Sequence, residues 1–167
     1  MLKKTATRAL VMAAVLVGAA FAGTILAQAD TTDDEPAGTI RGGGTSIVRG
    51  GTGAPSFDPV TTKFAFSWGE GKGGFECLAL APSVPAGKPG SGKFDTNAMY
   101  VTGSLSSAQV AGQRAVLKGT ATVTGLGAGT DRPFTATITR GGPGATLVLE
   151  ISGLTFSEIL LEGEISF

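Results

Sequence analysis

The sequence predicts an all-β protein, a single antiparallel β-sandwich or flattened β-barrel of about eight or nine strands. Two observations carry the prediction. The stretch from Met99 to Arg140 reads as three strands in succession, with apolar residues on one parity and polar residues on the other. Gly and Pro clusters break the chain wherever such a run ends, and no apolar stripe of 3.6-residue period appears.

The alternation is cleanest from Arg114 to Thr124. Ala115, Leu117, Gly119, Ala121 and Val123 share one face, while Arg114, Lys118, Thr120, Thr122 and Thr124 share the other with Val116. Successive strand side chains point to opposite faces, so this pattern describes a strand with one face in a core and one in water. Gly119, on the inward parity, marks a bend or a close approach of neighbouring backbone. Phe134, Ala136 and Ile138 alternate in the same way with Thr135, Thr137 and Thr139. Ala111-Gly112-Gln113 and Gly125 to Thr130 supply the turns on either side.

Taken from its start, the chain opens with a basic segment (Lys3, Lys4, Arg8), an apolar run from Ala9 to Leu26, and Ala27-Gln28-Ala29. These are the marks of a secretory signal peptide, residues 1–29. A cut after Ala20-Phe21-Ala22 is the alternative site, and an uncleaved anchor the alternative role, since the run approaches spanning length. Removal of residues 1–29 leaves ten basic against thirteen acidic residues, a net charge of −3. That balance offers no basic face to a nucleic acid. The remaining length is that of one domain, which buries roughly two thirds of its unfolded surface.

Residues 30–38 form an acidic lead-in without a large apolar side chain, expected to be flexible, and the all-β domain occupies residues 39–167. Two strand pieces, Thr39–Arg41 and Thr45–Arg49, flank Gly42-Gly43-Gly44. After a loop from Gly50 to Pro59, Phe64, Phe66 and Trp68 define an aromatic strand face. Gly69 to Gly74 turns the chain into a strand carrying Phe75, Cys77 and Ala79 on one parity. The longest loop, Ala81 to Asn97, is rich in Pro and Gly, and loops of that length in compact domains serve function or are disordered. Beyond Arg140, the Gly141–Gly144 turn leads to a strand with Leu147, Leu149 and Ile151 inward. The segment from Gly153 to Ile159 is irregular, a turn of helix or a short strand. The last strand places Leu161, Gly163, Ile165 and Phe167 on one face, with Glu162, Glu164 and Ser166 opposite.

Most catalytic chemistries lack their residues. The chain has no His, which removes Ser-His-Asp and Cys-His arrangements and His-based zinc sites. Cys77 is the one cysteine, so no disulfide forms within a chain, and its parity makes it a buried core thiol rather than a reactive one. Gly69, Gly71 and Gly74 match G-x-G-x-x-G, but a strand follows where a dinucleotide site needs a helix. Asp95-Thr96-Asn97 begins like a calcium loop without its Gly or closing Glu. Glu162 and Glu164 stand about 6.5–7 Å apart on one strand face, near the spacing of an inverting glycosidase, but point away from the apolar parity. Trp68 and Tyr100 suggest a sugar-stacking pair, against which stands the core parity of Trp68. The expectation is therefore a non-enzymatic protein with no cofactor and no metal.

The segments FAFSWGEGKGGFECL, MYVTGSL, VAGQRAVLKGTATVTGLG, PFTATITRGGPG, LVLEISG and LLEGEISF, in that order, resemble secreted bacterial β-rich domains associated with choice-of-anchor cell-envelope proteins. Where that group carries a D-x-F-R-I segment this chain has ATLVLEI. The resemblance implies secretion and an all-β domain, and no mechanism.

The expected role is an exported structural or interaction module, secreted or held in the periplasm or cell envelope, with a protein or glycan as the candidate partner. The first alternative is a small β-barrel binding an apolar ligand or glycan, with Ala81–Asn97 as its lid. The second is an outer-membrane β-barrel, which the C-terminal strand ending in Phe167 suggests and the scarcity of Trp and Tyr opposes. The surface singled out comprises Trp68, Glu70, Lys72, Lys88, Lys93, Phe94 and Tyr100.

Overall fold

In the computed structural model, residues 35–36, 38–54 and 59–167 are described; residues 1–29, read above as a signal peptide, and most of the segment read as an acidic lead-in lie outside them. Among the described residues nine strands follow in chain order: β1 (Glu35–Pro36), β2 (Ile40–Gly50), β3 (Thr61–Gly69), β4 (Lys72–Pro82), β5 (Phe94–Ala111), β6 (Arg114–Gly125), β7 (Gly129–Thr139), β8 (Thr146–Ile151) and β9 (Leu154–Ser166). From β2 to β9 each strand pairs antiparallel with its successor, and β9 pairs back with β2. The sheet is thus a closed up-and-down barrel of eight strands. β1 adds only Glu35 and Pro36 from the acidic lead-in, opposite Val110 and Gln109 on the part of β5 that runs past β4.

Closure decides between the two architectures the alternation allowed, and it removes every long free edge. The three strands predicted between Met99 and Arg140 are β5, β6 and β7. Their inward residues are those of the apolar parity, with Ala115, Leu117, Ala136 and Ile138 wholly buried. Outward lie Lys118, Thr120, Thr122 and Thr124, all exposed, and half-buried Thr135 and Thr137.

The lumen is filled at its centre by large aromatic residues from β3, β4 and β7, with small residues from β6. Phe64, Phe66, Phe75 and Phe134 form a run of neighbouring rings, with centroids 6.0 Å, 6.4 Å and 5.0 Å apart in turn. The inward face of β6 is small, with Ala115, Gly119 and Ala121, and Gly119 is the cross-strand partner of Phe134. A methyl group on Gly119 would overlap the Ser104 carbonyl oxygen and press on the Phe134 ring, so the glycine marks a close approach. An eight-stranded barrel is just wide enough for such interdigitation.

Some details differ from the sequence reading: the loop assigned to Ala81–Asn97 is confined to residues 83–93, because its two ends pair with each other in β4 and β5. Gly42-Gly43-Gly44 do not interrupt a strand; they lie inside β2, paired with β3 on one side and β9 on the other. The irregular segment read as a turn of helix or a short strand is strand from Leu154 on, the first half of a long β9. The inward parity assigned to the C-terminal strand holds for Ile165 but fails for Leu161, which is half exposed. The register shifts between Thr45 and Ser46, where Glu162 and then Leu160 are the β9 partners, leaving Leu161 as the extra residue of a bulge. A bulge reverses parity, so ahead of it Phe156, Glu158 and Leu160 point inward.

Candidate functional site

The two ends of the barrel differ. At one end lie Trp68, the β3–β4 turn with Glu70 and Lys72, the β5–β6 and β7–β8 turns, and Arg140, whose guanidinium sits 4.5 Å from the ring centroid of Phe167. At the other end are the long β2–β3 and β4–β5 connections and the ends of β6 and β8. Here the interior is not filled. An apolar cavity of about 390 Å³ opens at this mouth, lined by inward side chains such as Val60, Ala79 and Met99 and by Leu126, Leu154 and Phe156.

Backbone hydrogen bonds fix the rim. Gly53 N donates to Thr155 O at 3.0 Å and Thr155 N to Thr52 Oγ1 at 2.9 Å, tying the β2–β3 connection onto β9. Leu126 N donates to Ala98 O at 3.0 Å, and Ser152 Oγ to Gly127 O at 2.8 Å. Leu126 is 47% exposed, an apolar side chain held at the water boundary of the mouth. A rim tied down in this way leaves the opening preformed, as ligand pockets usually are.

Beneath the mouth is a polar patch that the sequence reading missed. Glu158 points into the barrel at 3% exposure, with Ser46 and Thr62 buried beside it. The Ser46 hydroxyl contacts the Glu158 carboxyl and lies 3.4 Å from the Thr62 carbonyl oxygen. Burial pushes the Glu158 carboxyl up to about 7, against the opposing effect of the Ser46 and Thr62 hydroxyls. The Thr62 hydroxyl is buried near enough to Glu158 to oppose that rise, but its position there does not make a hydrogen bond, and it has no other partner. Cys77 is buried close by, its thiol raised well above its ordinary value by burial and then by Glu158. That environment makes an inert thiol, because the thiolate is the reactive form. The signal for Glu158 was present as Phe156-x-Glu158-x-Leu160, but only the bulge at Leu161 tells which parity faces inward.

The seven residues singled out from the sequence do not converge. Trp68 is buried in the lumen at the end away from the mouth, where Glu70 and Lys72 are exposed on a turn. Lys88 and Lys93 are exposed on the β4–β5 loop at the mouth end. Phe94 is half-buried and helps line a smaller hollow of about 200 Å³ beneath that loop. Tyr100 is half-buried on the outward parity of β5, between Leu78 and Thr124. The loop stands at the end proposed for a lid, yet only its flanks, Ala81 and Ala98, line the mouth. Glu162 and Glu164 are exposed. Among the described residues no group of three or more His, Cys, Asp or Glu is placed to hold a metal ion.

Comparison of the chain with protein-family models, with curated proteins and with solved structures finds no match.

Proposed function

We propose that the protein is an exported β-barrel that holds a small apolar molecule in its open mouth. The observation that carries this reading is the apolar cavity of about 390 Å³ at one end of the barrel. Its size falls within the range of small-molecule pockets, and barrel mouths are among their common locations. Export rests on the basic, apolar and A-x-A segments that open the sequence and on the resemblance to cell-envelope domains. The polar outer faces of β6 and β7 favour a barrel standing in water, since a transmembrane barrel turns an apolar band outward.

Titration with a neutral apolar dye, N-phenyl-1-naphthylamine, tests the reading. Saturable fluorescence enhancement is expected for the wild type, with loss of that enhancement in Ala81→Trp, which fills the mouth. Absence of saturable binding, or binding indifferent to Ala81→Trp in a folded variant, rules it out.

A second reading, an interaction module of the cell envelope, draws on an open hollow of about 740 Å³ on the outside of the barrel. It carries Lys118, Arg132 and Glu150 beside Pro133 and Thr155. Both charge signs on an open surface suit a protein partner better than a small ligand. Charge reversal at Lys118 and Arg132 together should then abolish co-purification of an envelope protein with the wild-type chain. Unchanged co-purification would remove this reading.

A further inference from the structure

The buried polar residues stand in a definite relation to the mouth. On β9, Glu158 follows mouth-lining Phe156 by two positions; on β2, Ser46 lies two positions from Val48. On β3, Thr62 lies two from Val60, and on β4, Cys77 two from Ala79. These four strands are consecutive around the barrel. Two positions along a strand span about 6.5–7 Å on one face. An apolar tier therefore stands directly over a polar one. Thr62 is also the cross-strand partner of Ala79, which places it beside a residue of the cavity lining.

Counting protons shows what this tier lacks. The Ser46 hydroxyl has one proton and two acceptors beside it, the Thr62 carbonyl and the Glu158 carboxyl. Both contacts are satisfied together when Glu158 keeps its proton and donates to Ser46 Oγ, while Ser46 donates to Thr62 O. The second Glu158 oxygen then remains an acceptor, and Thr62 Oγ1 retains both an unused donor and unused lone pairs. Buried polar groups are nearly always paired. No Lys or Arg is among the buried residues described, so nothing inside offsets a further negative charge.

We infer, resting on the mouth-binding reading above, that the molecule held there is a neutral alcohol whose hydroxyl enters first, donating to Glu158 and accepting from Thr62. A carboxylate head would set a second anion against Glu158 without a cation. A hydrocarbon would leave the Thr62 hydroxyl unpaired. At the ~30 Å³ that a water-sized group occupies in a liquid, the cavity holds about a dozen heavy atoms, which suits a medium-chain alcohol.

Competition against the bound dye tests this on the full chain. Octan-1-ol, octane and octanoate are compared near pH 6, where Glu158, with its midpoint of about 7, holds its proton. A purely apolar cavity ranks octane above octanol, because the hydroxyl loses its water without recompense. The expected order is instead octanol over octane by about fivefold, the effect of one net hydrogen bond, with octanoate weakest. In Thr62→Val, octanol loses about fivefold relative to octane. Octane tighter than octanol, octanoate equal to octanol, or an unchanged order in Thr62→Val overturns the inference while dye binding and its loss in Ala81→Trp stand. Failure of the dye to bind removes the mouth reading and this inference with it. The wild-type ranking decides even if Thr62→Val fails to fold.

Discussion

Gly44 and Gly163 are direct partners across the β2–β9 seam that closes the barrel, and neither has room for a side chain. A methyl group on Gly44 would overlap the Glu162 carbonyl oxygen, and one on Gly163 the Gly43 carbonyl oxygen. Gly163 also has a φ of +113°, a conformation that L-residues rarely adopt. Gly163→Ala should therefore destabilise the barrel by at least about 2 kcal/mol, since strain and a backbone clash act together. Denaturant unfolding of wild type and variant gives the number. A difference under about 0.5 kcal/mol would show that the seam is not so tight.

Leu117 is wholly buried on β6, flanked on its own face by Ala115 and Gly119. Leu117→Asp places an unpaired carboxyl in the apolar lumen, a cost on the order of the whole stability of a small domain. The variant should show no cooperative thermal transition by circular dichroism. A normal transition would mean that the inward parity of β6 is misassigned.

The legibility of the fold followed the regularity of its strands. β6 and β7 were readable because Thr, Lys and Arg alternate with Ala, Leu, Val and Ile, with Val116 the one apolar residue of β6 on the outer face. Closure was not, because it depends on β2 meeting β9, the two ends of the domain, through a register that local sequence does not encode. The glycines at 42–44 looked like a break; they are needed where β2 passes close to Phe66 and to β9. Leu160 and Leu161 are consecutive apolar residues that fit either parity, and only the bulge between the pairs Thr45–Glu162 and Ser46–Leu160 assigns them. Glu158 was hidden by the same ambiguity. The mouth is assembled from four strands and two connections, each contributing a few unremarkable and mostly apolar residues, so no local motif announces it.

The unpartnered Thr62 hydroxyl gives a prediction independent of any ligand. It is desolvated without a hydrogen bond, while its neighbours Ser46 and Glu158 satisfy each other. Thr62→Val keeps the branched shape and removes the unpaired polar group, and should raise the stability of the empty barrel by about 1 kcal/mol. The midpoint of urea unfolding, at unchanged slope, measures this. A loss of stability would show that the hydroxyl has a partner in solution.

Glu158 makes the barrel sensitive to pH in a direction opposite to that of a salt-bridged carboxylate. Its carboxyl titrates near 7 in the folded chain and near the ordinary value of 4.5 when unfolded. Below 4.5 both states hold the proton, and the neutral carboxyl is accommodated fully. Between 4.5 and 7 the folded chain binds more protons than the unfolded one, so stability falls as pH rises through that window. Above 7 both states are ionised and the loss is complete, on the order of 3 kcal/mol for a shift of this size. Glu158→Gln carries no titrating group at this position. Its unfolding free energy should lack this fall between pH 5 and pH 7.5, and above pH 7 it should exceed that of the wild type. Guanidinium titrations of both proteins at several pH values across the window make the comparison. Parallel pH profiles for wild type and Glu158→Gln would show that the carboxyl is solvated in the folded state and that the patch beneath the mouth is wet.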